Sequence, residues 1–387
     1  MGVAVISNNI NEAQSQHVDV LRRVLIAASG SGGHLIPAVQ IAQQIKALSP
    51  GTSVEFVGVG KPLEETLVVA KGFSRHTLPL VAVKNRGIIG LISFLFTLPK
   101  ALILTYKLIK KTNPDIVVGV GGYVSVLPIL VARFFGIPTW IHEAELYPGL
   151  ANKVLSYFAD NCSLAFAESK IGGRCRPVVT GHPVRSELAT VDRSSIPRGV
   201  PERLLVLGGS QGARGLDSAL SELATLLAEK KLEVVHQARE DQVSKVQAAY
   251  LAAGVKAHVV SFIDNMAGAF AWCDIIVSRS GAGSVAEIAS VNRPTIFVPY
   301  PFQQGTHQTD NAKTLVYAQK ALLVEESRDE SKRSEFVQKL REAIIELCAS
   351  ANFVRMKKEW YEPRGLQAAN RIAEGVLAAA NITRPAV

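Results

Sequence analysis

The stretch Asp274–Ala312, DIIVSRSGAGSVAEIASVNRPTIFVPYPFQQGTHQTDNA, decides the fold. Asp274 to Val277 is an apolar run of strand length. Ser278 to Ser284 is a turn of mostly small residues, and Val285 to Ser290 opens a helix. Thr295 to Val298 is a second apolar run, closed by Pro299. Strand, Gly-rich turn, helix, strand is the grammar of a parallel α/β sheet. A helix that starts just past glycines offers free backbone N–H groups and the positive end of its dipole, which suits a phosphate; a plain tight connection is the simpler reading of the same turn. Glu287 is placed in the first helical turn, where a carboxylate can accept from sugar hydroxyls. Gln303, Gln304, His307, Gln308 and Asn311 supply uncharged hydrogen-bonding groups suited to a polyol.

The same unit recurs upstream. Arg23 to Ala28 is a strand, followed by Gly30-Ser31-Gly32-Gly33-His34, with Pro37 predicted to start a helix through Leu48. The spacing lacks the third glycine of a dinucleotide fingerprint. A His at a helix N-terminus is held neutral by the dipole, which suits a base or a hydrogen-bond partner; a simple cap is the alternative. Asp115 to Val120 leads into Gly121-Gly122-Tyr123. Pro138 to His142 ends at Glu143, where the carboxyl ends of parallel strands bind ligands. Leu204 to Leu207 leads into Gly208-Gly209-Ser210-Gln211-Gly212-Ala213. The two halves thus share one layout, and a cleft between them suits a small ligand.

The chain of 387 residues is long enough for two domains. A hydrophobic fraction of 48% with 19% charged residues permits large cores. The net charge of +9 favours anionic partners, while 6% aromatics and no basic block interleaved with them argue against nucleic acid. Cys162, Cys175, Cys273 and Cys348 are scattered and read as reduced thiols; no metal cage, DxD pair, Walker loop or GxSxG elbow is present. No metal and no cofactor are therefore expected. The first 20 residues read as a loose polar extension, not a signal peptide. The apolar run Ile88 to Leu98 is too short to span a bilayer and is interrupted by Pro99 and Lys100. With Lys84, Arg86, Lys100, Lys107, Lys110 and Lys111 around it, it reads either as a core helix after a loop or as a patch resting on an anionic membrane. His34 and Glu143 both remain open as the general base.

The motifs GSGGH (Gly30–His34), GGYVS (Gly121–Ser125), IHE with PGLAN (Ile141–Asn152), GHPVR (Gly181–Arg185), GGSQGA (Gly208–Ala213), FIDNM (Phe262–Met266), RSGAGSVAE (Arg279–Glu287) and HQTDNA (His307–Ala312) occur in the order in which the MurG family carries them. The chain resembles this family, glycosyltransferase family 28, from about residue 23 to 380. The resemblance implies an α/β, GT-B fold: two Rossmann-like domains with parallel sheets facing across a cleft. Boundaries are expected at 21–186 and 187–362, with a C-terminal helix, 363–387, returning to the first domain. It implies an inverting, metal-independent transfer of N-acetylglucosamine from UDP-N-acetylglucosamine to undecaprenyl-linked lipid I, giving lipid II. The setting implied is the cytoplasmic face of the bacterial inner membrane, peripherally bound, within peptidoglycan assembly and its links to cell shape and division.

By the same resemblance, His34 and Glu143 are the catalytic candidates. The donor would be held by Ser31, Gly32, Gly33, Glu145, Arg185, Ser210, Ile263, Ala282, Gly283, Ser284, Val285, Ala286, Glu287, His307 and Gln308. Ile88, Ile89, Leu91, Ile92, Phe94, Leu95 and Phe96 would form the membrane patch. The chain departs from the family at Ser31 (usually Thr), at Ala144 and Glu145 (usually amides), at His182 (usually Asn) and at Thr306 (usually Asp). Transfer to another membrane lipid such as a diacylglycerol, and a non-catalytic nucleotide-sugar binder, are the other readings.

Overall fold

A computed structural model describes residues 22–30, 32–80, 87–192, 199–209, 212–301, 307–356 and 364–381, with backbone only for 87–95. The first sheet holds β1 (Arg23–Ala27), β2 (Ser53–Gly58), β3 (Ser74–Thr77), β4 (Ile116–Gly119), β5 (Thr139–Glu143), β6 (Asn161–Leu164) and β7 (Arg176–Val179). Its spatial order is β3-β2-β1-β4-β5-β6-β7. The second holds β8 (Arg203–Leu207), β9 (Glu233–Gln237), β10 (Ala257–Val260), β11 (Ile275–Ser278), β12 (Thr295–Phe297) and β13 (Ala321–Leu323), in the order β10-β9-β8-β11-β12-β13. Every recorded pairing is parallel. Strands such as IVVG and IIVS are buried at every position because helices cover both faces of a parallel sheet.

Both sheets reverse direction of build at the same place, between β1 and β4 and between β8 and β11. The crevice at the carboxyl ends of the strands at such a switch point is where doubly wound sheets take ligands. The loops after these four strands are Ala28–Gly30, Val120–Gly122, Gly208–Gly209 and Arg279–Gly281, so the Gly-rich motifs lie at the two switch points. Two Rossmann-like domains opposed in this way are the GT-B architecture.

The last helix, Arg364–Asn381, crosses back to the first sheet. Its Ile372, Ala373, Val376 and Ala380 are buried in one core with Val24 and Ile26 of β1 and Leu35 and Ile41 of the first helix. Two polar contacts hold it there, Arg22 Nη1 to Leu377 O at 3.2 Å and Gln44 Nε2 to Asn370 Oδ1 at 3.0 Å.

Three helix starts differ from the sequence expectation. The first helix runs Gly32–Leu48, with Pro37 inside it. Proline has no N–H, so the carbonyl it leaves without a donor is that of Gly33, which is exposed. The helix Ala282–Val291 begins directly after extended Gly281 (φ −61°, ψ 150°), so Ala282 to Ser284 form its first turn instead of a loop, and Glu287 falls in the second turn. Gly87–Thr112 is one continuous helix through Pro99, anchored where Ala101, Leu108 and Ile109 enter the core. Among the described residues, no helix is long and apolar enough to cross a membrane.

Candidate active site

His34 is the third residue of the helix Gly32–Leu48 and is half-buried. The loop after β4 closes over its ring: a Cβ on Gly121 would lie 2.7 Å from His34 Cδ2, and Gly121 has φ +85°. Both the left-handed backbone and the imidazole contact require glycine there. Desolvation lowers the His34 pKa, so the ring is neutral at physiological pH and has a lone pair to offer.

Glu143, at the end of β5, is 3% exposed. Its Oε1 accepts from Glu145 N–H at 2.8 Å; its Oε2 accepts from Asn152 Nδ2 at 2.9 Å and Gly149 N–H at 3.3 Å. These bonds fold the loop that carries Glu145 and Tyr147. Burial outweighs the three donors and pushes the carboxyl up to about 7. Glu143 therefore braces a loop with both oxygens, whereas His34 keeps its ring free of such duty.

From the second domain, the helix Ala282–Val291 points its N-terminus into the cleft. Its first intrahelical hydrogen bond is Val285 N–H to Gly281 O at 3.0 Å, which leaves the N–H groups of Ala282, Gly283 and Ser284 without partners in the helix. Beside it, the buried Ser280 Oγ, Asn311 Oδ1 and His307 Nδ1 have no hydrogen-bond partner among the described residues. A native fold rarely strands polar atoms in this way unless a ligand or water completes them, and hydroxyl-rich sugars are chemically suited to do so. Glu287 pairs with Arg185, which comes from the segment joining the domains. Burial raises the Glu287 pKa and Arg185 opposes the rise.

The two domains touch through the same residues. Asn311 Nδ2 donates to Glu145 Oε2 at 2.6 Å, and the Tyr147 ring meets His307 edge-on at 6.4 Å. Gln308 Oε1 accepts from Tyr300 N–H at 2.9 Å, which ties the start of the helix His307–Tyr317 to the loop after β12. Ile263 is half-buried ahead of the helix Met266–Trp272, whose N-terminus is capped by Asn265 Oδ1 accepting from Gly268 N–H at 2.8 Å. Ser31 and Ser210 lie outside the described residues.

Sequence reading passed over one pair. His142 on β5 and His182 after β7 are both buried, with His142 Nε2 and His182 Nδ1 3.1 Å apart. Each sits in a motif quoted above, IHE and GHPVR, but 40 residues separate them and only the sheet brings them together.

Profiles of the Glycosyltransferase family 28 N-terminal domain and C-terminal domain match residues 24–163 and 203–368. A UDP-N-acetylglucosamine--N-acetylmuramyl-(pentapeptide) pyrophosphoryl-undecaprenol N-acetylglucosamine transferase of Syntrophus aciditrophicus (strain SB) is 37% identical over 79% of this chain and 85% of its own length. A transferase of the same name from Xanthomonas axonopodis pv. citri (strain 306) is 33% identical over 96% of this chain and 85% of its own. Among solved structures, Acinetobacter baumannii MurG superposes with a TM-score of 0.70 at 26% identity, covering 92% of this chain and 99% of that one.

Proposed function

The chain belongs to glycosyltransferase family 28, and from that premise we propose that it transfers N-acetylglucosamine from UDP-N-acetylglucosamine to the 4-hydroxyl of the muramoyl sugar of lipid I, forming lipid II. The observation that carries this reading is the convergence in one cleft of an open helix N-terminus with orphaned polar atoms beside it, on the donor side, and the neutral His34, on the acceptor side.

The N–H groups of Ala282, Gly283 and Ser284 take the donor diphosphate, and the helix dipole offsets its charge. Glu287, its charge balanced by Arg185, accepts from the ribose hydroxyls. Ile263 lies against the uracil, and His307 and Gln308 meet the sugar. Gly32, Gly33, Val285 and Ala286 complete the lining of the cleft. His34 accepts the proton of the acceptor hydroxyl as that oxygen attacks the anomeric carbon. The bond from that carbon to the diphosphate oxygen breaks, and its electron pair leaves with UDP. Single displacement from the opposite face inverts the anomeric centre. Glu143 acts one step back, by bracing the loop of Glu145 and Tyr147.

Lipid I is a membrane lipid, so the enzyme works at a membrane surface. Support comes from the first domain. Phe96 is 82% and Phe134 84% exposed, and Ile103 and Tyr106 are also open. Lys107, Lys110, Lys111 and Arg133 lie beside them, with Lys110 Nζ 4.7 Å from the centre of the Phe135 ring. Apolar side chains with a cationic rim suit peripheral binding to anionic lipid. The side chains of Ile88, Ile89, Leu91, Ile92, Phe94 and Leu95, on the same helix, lie outside the described residues. We place this face on the inner membrane, at its cytoplasmic side, where peptidoglycan precursors and other cell-wall assembly proteins meet.

The test is UDP release from UDP-N-acetylglucosamine and a short-chain lipid I analogue, in EDTA. Release that depends on the analogue is expected. Donor binding without turnover would move the acceptor to another membrane lipid, and absence of donor binding would refute the reading of the cleft.

A further inference from the structure

We propose that His182 is a proton-linked ligand of the donor's nucleoside diphosphate: its Nε2 takes up a proton when the diphosphate settles on the helix Ala282–Val291. The inference rests on the donor site described above.

Its first support is a chain of hydrogen bonds in which each proton is fixed by its neighbour. Ser163 Oγ is 3.3 Å from Ile141 O, an acceptor, so the single hydroxyl proton points there. Its lone pairs then accept from Trp140 Nε1 at 3.1 Å and from His142 Nδ1 at 3.0 Å. His142 therefore carries its proton on Nδ1, and its Nε2 accepts. The group donating to that Nε2, at 3.1 Å, is His182 Nδ1. A neutral His182 is thereby left with a bare lone pair on Nε2.

Its second support is where that lone pair faces. His182 is 4% exposed, and Nε2 has no hydrogen-bond partner among the described residues. A Cβ built on Gly283, in the open first turn of the helix, would lie 3.6 Å from it. A lone pair turned toward phosphate oxygens repels them, whereas an N–H attracts them. Because Nδ1–H is held by His142, Nε2 gains its proton by becoming an imidazolium, not by exchanging tautomers.

Other charged groups surround the ring. His142 lies on β5 and His34 on the helix Gly32–Leu48. Glu287 lies on the facing helix, already paired with Arg185, and Arg364 opens the last helix against Gly181. In the empty site burial, then His34, hold the His182 pKa down to about 4. The ring is thus neutral until an anion arrives, and binding and protonation are one event.

The probe is UDP, with uridine as the control that lacks phosphate, titrated calorimetrically between pH 7 and 8.5 in buffers of different ionisation enthalpy. The full-length protein should take up protons with UDP and none with uridine, the uptake growing as pH falls, and its UDP affinity should fall as pH rises, by at most tenfold per pH unit. His182→Asn should flatten that slope and abolish the uptake. Ser163→Ala should also flatten it, because it frees His142 to turn its tautomer and lets a neutral His182 carry the proton on Nε2. A purely structural role for Ser163 would not change proton uptake. Equal slopes in the parent and both variants, or equal uptake with uridine, would overturn the inference while leaving the donor site standing. No UDP binding by the parent protein would overturn both.

Discussion

Replacing Glu143 by glutamine separates a brace from a base. The folded protein raises this carboxyl from 4.5 to about 7. At 1.36 kcal/mol per pKa unit, that shift corresponds to about 3 kcal/mol. The sign follows from proton binding. Between pH 4.5 and 7 the folded state holds the proton and the unfolded chain has released it, so stability falls as pH rises through this window. The contribution is complete below the unfolded pKa and gone above the folded one. Glutamine is neutral at every pH, but its amide nitrogen cannot accept, so it strands at least one of the donors that meet the two carboxyl oxygens. The stability of Glu143→Gln relative to the parent should therefore rise by about 3 kcal/mol between pH 4.5 and 8, starting about 1–3 kcal/mol below the parent at the acid end. Urea unfolding of both proteins at intervals between these limits measures the difference, and effects of other titrating groups cancel in the comparison. The opposite outcome is well defined. If the donors from Glu145, Gly149 and Asn152 outweighed burial, Glu143 would stay ionised across this window, and the stability of the variant relative to the parent would not rise with pH. A relative stability that stays flat or falls between pH 4.5 and 8 would refute the reasoning. Turnover by the same variant adds a second reading: a brace leaves most of it, a general base about a hundredth or less.

Three further outcomes follow from the cleft. His34→Ala should lower turnover about 10²- to 10⁴-fold in the UDP-release assay while leaving UDP affinity unchanged, since the role proposed for the ring is on the acceptor hydroxyl. Glu287→Ala removes the partner of Arg185 and the acceptor proposed for the ribose, so UDP affinity measured by calorimetry should fall by about tenfold or more, equivalent to about 1.4 kcal/mol. Phe96→Asp places a charge at an open apolar position of the basic face and should weaken sedimentation with anionic vesicles several-fold, with activity on a short-chain soluble acceptor retained.

The elements of this fold were legible because a strand buried on both faces leaves a run such as RLLVL, and the chain must turn before its helix packs back. The Gly-rich loops at both switch points follow from that. Helix starts were less legible. Ala282, Gly283 and Ser284 are small enough for a turn or a helix, and extended Gly281 decides in favour of the helix, which moves Glu287 to the second turn. Pro37 reads as a helix start in sequence but is accommodated one turn later. The last helix shows an amphipathic pattern, RIAEGVLAAA, yet pattern alone does not say which domain its apolar face covers. The small Gly375, over which the Trp140 ring packs, is part of what fits it to the first sheet.

Pairings over long separations were the least legible, and they change the chemistry most. Read alone, Glu145 in a cleft built for a diphosphate is a repulsive charge, since family members usually carry an amide there. In the fold it meets the amide of Asn311, 166 residues away, at 2.6 Å. Its charge has a donor, and the contact spans the two domains. The same substitution that threatens the donor in sequence becomes, in three dimensions, a link between the loop braced by Glu143 and the helix His307–Tyr317, to which the proposed donor pose assigns the sugar. Such a link joins the two halves, so a shift of Asn311 changes the surroundings of Glu145. Removal of the carboxylate in Glu145→Ala takes away that link, while the bonds to Glu143 and the Tyr147–His307 ring contact still hold the loop.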